Sequence, residues 1–87
     1  MLSLWEAVMK NTEEPSAADV FKAAVGERVF IWRLALKMSR GYLAEKAVLS
    51  PDYIYRLEQG WENPRITTLQ RLAGALKTTS QELLDVE

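Results

Sequence analysis

Between Ser39 and Leu76 the chain reads SRGYLAEKAVLSPDYIYRLEQGWENPRITTLQRLAGAL, and this run leaves its backbone few choices. Ser39 is placed to cap a helix through Ala47 in which Leu43, Ala44 and Ala47 share one face. Ser50 caps again, and Pro51 suits the first helical position because its missing N–H would have had no partner there. This second helix turns Ile54 and Leu57 inward and ends near Gln59, where Gly60 can take the left-handed conformation that closes it. A link of about three residues forces the two helices to cross steeply, which requires small side chains at their contact. Ala44 and Ala47 supply them. After the loop WENPR, Ile66, Leu69, Leu72, Ala73 and Leu76 fall in phase on a further helix.

Upstream, Leu2, Trp5, Val8 and Met9 have the spacing of one helix face over Leu2 to Lys10. The polar stretch NTEEPS reads as a linker whose Ser16 caps a helix from about Ala17 to Val25, with Asp19 in its first turn and Val20, Phe21 and Ala24 on one side. Gly26 punctuates. The next helix, about Glu27 to Lys37, carries Val29, Trp32 and Leu36 on its inner face, and Phe30, Ile31 and Leu34 make it apolar nearly all round. Its second face needs a cover, supplied either by the N-terminal helix pair through Trp5, Val8, Val20 and Phe21 or by a partner subunit. At the other end, Ser80 caps a short helical turn that folds Leu83 and Leu84 back to the core. With no strand pattern, repeat or low-complexity segment, the fold class is all-α.

Composition narrows the function. The 87 residues, 48% apolar and 26% charged, suffice for one core. Cysteine and histidine are both absent, which rules out a disulfide framework and a thiolate or imidazole zinc site and leaves no cofactor expected. The cysteine count and the lack of a basic, apolar N-terminal leader fit a cytoplasmic protein, and no stretch is apolar enough to span a membrane. Enzymatic chemistry is not expected: there is no Gly-rich phosphate loop, and Ser39 and Ser50 sit at helix starts as caps with no base in the pattern. The net charge of −1 hides a division. Residues 1–25 hold two cations against four acids, residues 26–78 nine against five, and residues 79–87 three acids alone. Positive charge gathers in the central module, where phosphate contacts would be needed.

Arg33, Ser39, Leu43-Ala44, Ser50, Tyr53-Ile54, Leu57-Glu58, Gly60, Pro64, Leu69 and Leu72-Ala73 stand in a joint spacing that resembles the Cro and phage-repressor (XRE) helix-turn-helix family, over about Gly26 to Leu84. The resemblance implies a five-helix, lambda-repressor-like DNA-binding domain over residues 26–87 with a short helical extension over residues 1–25. It implies a transcriptional regulator that binds double-stranded DNA as a homodimer on a pseudo-palindrome, its helix from about Ser50 to Gln59 in the major groove. It also implies an internal ion pair between Arg33 and Glu58, whose guanidinium fork would hold the end of the recognition helix.

On the same resemblance, Arg40 would meet phosphate at a helix start, where the family usually has glutamine. Ser50, Pro51, Asp52 and Arg56 lie at the start of the recognition helix and at its base-facing positions. Arg56 is the best candidate to grip guanine O6 and N7. Asp52 could accept from cytosine N4 but is better read as stabilising the helix N-terminus. Tyr53 and Tyr55 either touch DNA or pack. Trp61, Asn63 and Arg65 lie in the loop nearest the backbone, with Arg65 the phosphate contact. Val48 stands where the family prefers glycine, so the turn is either reshaped or strained. A weaker resemblance to HigA-type antitoxins, in LWEAVMK, the acidic linker and the Trp32-Arg33 pair, implies an alternative: an acidic N-terminal segment, with Trp5 and Phe21, covering a small basic toxin.

Overall fold

The computed structural model describes Ser3, Leu4, Glu6, residues 16–78 and Leu83. Among these, the chain forms four helices: α1 (Ala17–Ala35), α2 (Arg40–Ala47), α3 (Pro51–Glu58) and α4 (Ile66–Ala75). No residue described is in a strand, and no helix is long and apolar enough to cross a membrane.

The first three helices start as the serines dictate. The hydroxyls of Ser16, Ser39 and Ser50 accept from the backbone N–H of Asp19, Tyr42 and Tyr53, each at 3.0 Å. Each bond satisfies one of the donors that a helix start leaves orphaned. Arg65 precedes α4 without a side-chain cap bond. All four helices close on a residue in the left-handed region: Lys37 (φ 58°), Val48 (φ 58°), Gly60 (φ 80°) and Lys77 (φ 56°). The N–H of the following residue returns to the carbonyl five residues back, Met38 to Arg33 at 3.0 Å and Leu49 to Ala44 at 2.8 Å, which satisfies carbonyls the helix end exposes.

One sequence expectation fails here. The break at Gly26 does not occur, because the two helices expected on either side of it are one helix of 19 residues. Glycine costs a helix interior about 1 kcal/mol relative to alanine, but at this position it is required by a neighbour. A Cβ on Gly26 would lie 2.2 Å from the Leu57 carbonyl oxygen, so only glycine lets the end of α3 press against α1. The described residues hold four helices, not five, since the turn expected after Ser80 lies outside them save for Leu83, and the 25/26 boundary falls inside α1.

On α1's outer face, two covers were open. Phe30, Ile31 and Leu34 stay 39%, 53% and 52% exposed. Phe21 instead packs against the main core. Trp5 and Val8, the linker at residues 11–15, Ser80 and Leu84 lie outside the described residues. What is described near the N-terminus is a reciprocal cap: Glu6 N–H donates to Ser3 Oγ at 3.1 Å, and Ser3 N–H to Glu6 Oε1 at 3.3 Å.

The core gathers Val25, Val29, Leu43, Ile54, Leu57, Leu69, Leu72, Leu76 and Leu83, all at most 2% exposed. Ala44 and Ala47, each 1% exposed, let α2 and α3 cross closely, as the short link demands. Val48 turns between them at φ 58° and ψ 51° with its side chain 74% exposed. Of the two outcomes open to this turn, strain is the one realised.

Candidate nucleic-acid interface

The C-terminal end of α3 is anchored inside the protein. Glu58 is buried, and both its oxygens are used: Oε2 accepts from Arg33 Nε at 2.7 Å, and Oε1 from Arg33 Nη2 at 3.1 Å. The third guanidinium nitrogen, Arg33 Nη1, donates to the Met38 carbonyl at 2.8 Å. Two buried charges so fully bonded meet the condition under which an internal ion pair is tolerated. The Arg33–Glu58 pair expected from sequence is present with the two-pronged geometry that only arginine provides.

The N-terminal end of α3 is free. Pro51, Asp52 and Tyr55 are exposed, as are Ser50, whose hydroxyl is engaged in capping, and Trp61, Asn63 and Arg65 beyond the helix. Tyr55 meets Trp61 edge-on, ring centroids 5.9 Å apart at 81°, and the Arg40 guanidinium lies 5.2 Å from the Tyr55 ring centre. These contacts line up Arg40, Tyr55 and Trp61 as one polar-aromatic ridge beside the C-terminal half of α3.

The helix-turn-helix family matches residues 31–83, more than half of the chain. The chain belongs to this family, in its Cro and XRE branch. This helix-turn-helix protein is 42% identical over 52 residues to the immunity repressor protein of Bacillus phage phi105, a match covering 60% of the chain and 36% of the repressor. The chain thus spans about a third of that relative's length. The crystal structure of the restriction-modification controller protein C.AhdI from Aeromonas hydrophila is similar at a TM-score of 0.69 and 29% identity, covering 71% of this chain and 94% of that one. A hypothetical transcription factor from Neisseria shares the fold at a TM-score of 0.74 and 20% identity, over 82% of each chain.

Within the helix-turn-helix frame, α2 is the first motif helix, Val48 to Ser50 the turn and α3 the second motif helix. Two expected roles are complicated by bonds that sequence reasoning missed. Arg40 is a second partner of Glu58, its Nε 3.3 Å from Oε1, with its side chain still 44% exposed. Arg56 is held by two carboxylates: its Nη1 donates to Asp52 Oδ2, and its Nε to Glu62 Oε2 at 2.8 Å. The Glu62 bond is the main reason its pKa is raised above the ordinary arginine value, with Asp52 adding to it. The Asp52 bond is an i, i+4 pair, legible in principle from spacing. Glu62 lies past the Gly60 turn, where no periodicity points to it. Tyr53 takes the packing alternative in large part: it lies half-buried against the core, and burial, with Glu62 next, pushes its hydroxyl pKa up.

Proposed function

We propose that this protein is a sequence-specific transcription regulator that binds a pseudo-palindromic operator as a homodimer, with α3 in the major groove of each half-site. One observation carries the reading: α3 is fixed at its buried Glu58 end and open at its Pro51 end, which is how a short helix is presented to a groove about as wide as itself. Arg40, Asn63, Trp61 and Arg65 would flank the duplex backbone, and Ser50, Pro51, Asp52, Tyr55 and Arg56 would face the groove, with the half-buried Tyr53 behind them. A single helix of this length makes too few contacts for tight binding at physiological salt, so two copies about one DNA turn apart are expected. The antitoxin alternative leans on Trp5, outside the described residues, and is not adopted.

Selection of bound sequences from random duplex DNA, repeated across salt, tests the proposal. Arg65→Ala should weaken binding to every sequence alike and lower the salt slope by about one. Arg56→Ala should flatten base preference at one position per half-site. Full retention of affinity and preference by both variants would overturn the docking face.

A further inference from the structure

The end of α1, the outer face of α2 and α4 enclose an open groove of about 1020 Å³ that neither Arg56 nor Trp61 lines. Four cations line it: Lys37, Lys46, Arg71 and Lys77. No acidic residue does, and among the described residues none of the four is ion-paired. Between the cations the surface is mostly apolar, with Ser39 and Gln70 the polar exceptions. Val48 is 74% exposed, Tyr42 48% and Leu36 39%, and Lys46 Nζ sits 5.3 Å from the Tyr42 ring centre.

Gly74 adds an independent sign. It lies inside α4 on the groove wall, and a Cβ built on it meets nothing within 4 Å. The contrast with Gly26 is direct, because no neighbour within the chain requires glycine here. Its absent side chain leaves a channel in which a second backbone can approach α4 closely.

We propose that this groove docks an amphipathic helical segment of another protein, acidic along its flanks and apolar between them. A second copy set groove to groove would oppose cation to cation, which charge repulsion disfavours. The chain's own N-terminus is engaged elsewhere, with Leu4 lying beside Gly60 at the far end of α3. Nucleic acid fits poorly, because exposed valine, leucine and tyrosine between the cations match apolar side chains better than phosphates. A helix laid in a groove with charged margins is a recurrent mode of peptide recognition. The proposal does not rest on the DNA-binding reading, because none of Arg40, Arg56, Trp61, Asn63 or Arg65 lines the groove.

The test is a display selection of random peptides of about 16 residues, long enough for roughly four helical turns, on the full chain, with the Gly74→Trp protein as counter-selection. Peptides retained only by the unmodified protein should be acidic, with apolar residues three and four apart. By fluorescence anisotropy, a synthesised winner should bind about tenfold or more weakly to Gly74→Trp and to Lys46→Glu/Arg71→Glu, both first shown by circular dichroism to be folded. DNA binding by Gly74→Trp should be unchanged. The proposal is overturned by a selection yielding no groove-dependent peptide, by winners that are neutral or basic, or by affinity indifferent to both variants. It is equally overturned if only random-sequence duplex DNA is lost with the groove variants, which would make the surface a phosphate site.

Discussion

Replacing Glu58 by glutamine preserves its shape and removes its charge, isolating what the carboxylate does for the fold. In the native protein the Arg33 guanidinium, with a side chain only 8% exposed, faces a Glu58 side chain 2% exposed at 2.7 Å. The variant leaves that cation buried beside a neutral amide. Breaking a buried pair from one side costs about 3–5 kcal/mol, because the remaining charge is uncompensated. A chain of 87 residues at about 0.05–0.15 kcal/mol per residue has a total stability of roughly 4–13 kcal/mol. The substitution should therefore remove a large fraction of it and lower Tm by well over 10 °C, at about 4–8 °C per kcal/mol. Urea and thermal unfolding followed by circular dichroism measure both. The double variant Arg33→Met/Glu58→Leu, which deletes both charges, should recover most of the loss, because two apolar chains of similar volume leave no buried charge unpaired. Arg40, the third member, is 44% exposed and can turn to water, so Arg40→Ala should cost no more than about 1 kcal/mol. A Glu58→Gln loss below about 1 kcal/mol, or a double variant no more stable than the single, would refute the view that uncompensated burial governs this site.

Three further outcomes are expected. Gly26→Ala should destabilise by at least about 1–3 kcal/mol, because its Cβ would meet the Leu57 carbonyl at 2.2 Å, whereas Gly74→Ala, opening onto empty space, should stabilise by about 0.5–1 kcal/mol; paired urea melts distinguish the two signs. Tyr53 has a folded pKa raised above its ordinary value of 10.0, so its neutral form is favoured by folding: that contribution is fully present below pH 10 and is lost as pH rises through the folded pKa. Ultraviolet titration should show Tyr53 ionising above the ordinary tyrosine range, and Tyr53→Phe should make alkaline stability less dependent on pH. Glu62→Gln removes a carboxylate from Arg56 and from the proposed DNA face, so affinity for duplex DNA should rise in filter binding at low salt; unchanged or weaker binding would show that Glu62 serves DNA binding by positioning Arg56.

The elements written in side-chain chemistry were legible, and those written in close approach were not. Three serine caps, the Pro51 start and the apolar phases of α2, α3 and α4 follow from local rules, and the structure carries them out. Helix ends were harder, because only Gly60 among the four left-handed positions announces itself, while Lys37, Val48 and Lys77 adopt the same conformation against their preference. Gly26 misled for the complementary reason: a glycine that ends a helix and one that admits a neighbouring carbonyl look alike until the neighbour is known. At the candidate interface, the residues were found but their bonds were not. The Arg33–Glu58 link came with the family resemblance, whereas Arg40–Glu58 and Arg56–Glu62 span turns that no period describes.

Those missed bonds change how base reading would have to work. The nearest partners of Arg56 are both acids, so Asp52, Arg56 and Glu62 together carry one net negative charge on a face proposed to meet phosphates. For Arg56 to grip a guanine it must exchange at least one of its carboxylate bonds for the base edge, and the released acid must then find water or a cytosine amino group. Where the base is wrong, no such exchange is available and the acids stay turned to the duplex, so discrimination arises as much from rejecting other sequences as from attraction to the right one. Sequence-independent attraction then falls to Arg65 and to Arg40, whose carboxylate partner Glu58 is already shared with Arg33. Affinity and specificity are thus separable on this surface, and removing Asp52 and Glu62 together should raise binding to all DNA while narrowing the gap between operator and random sequence.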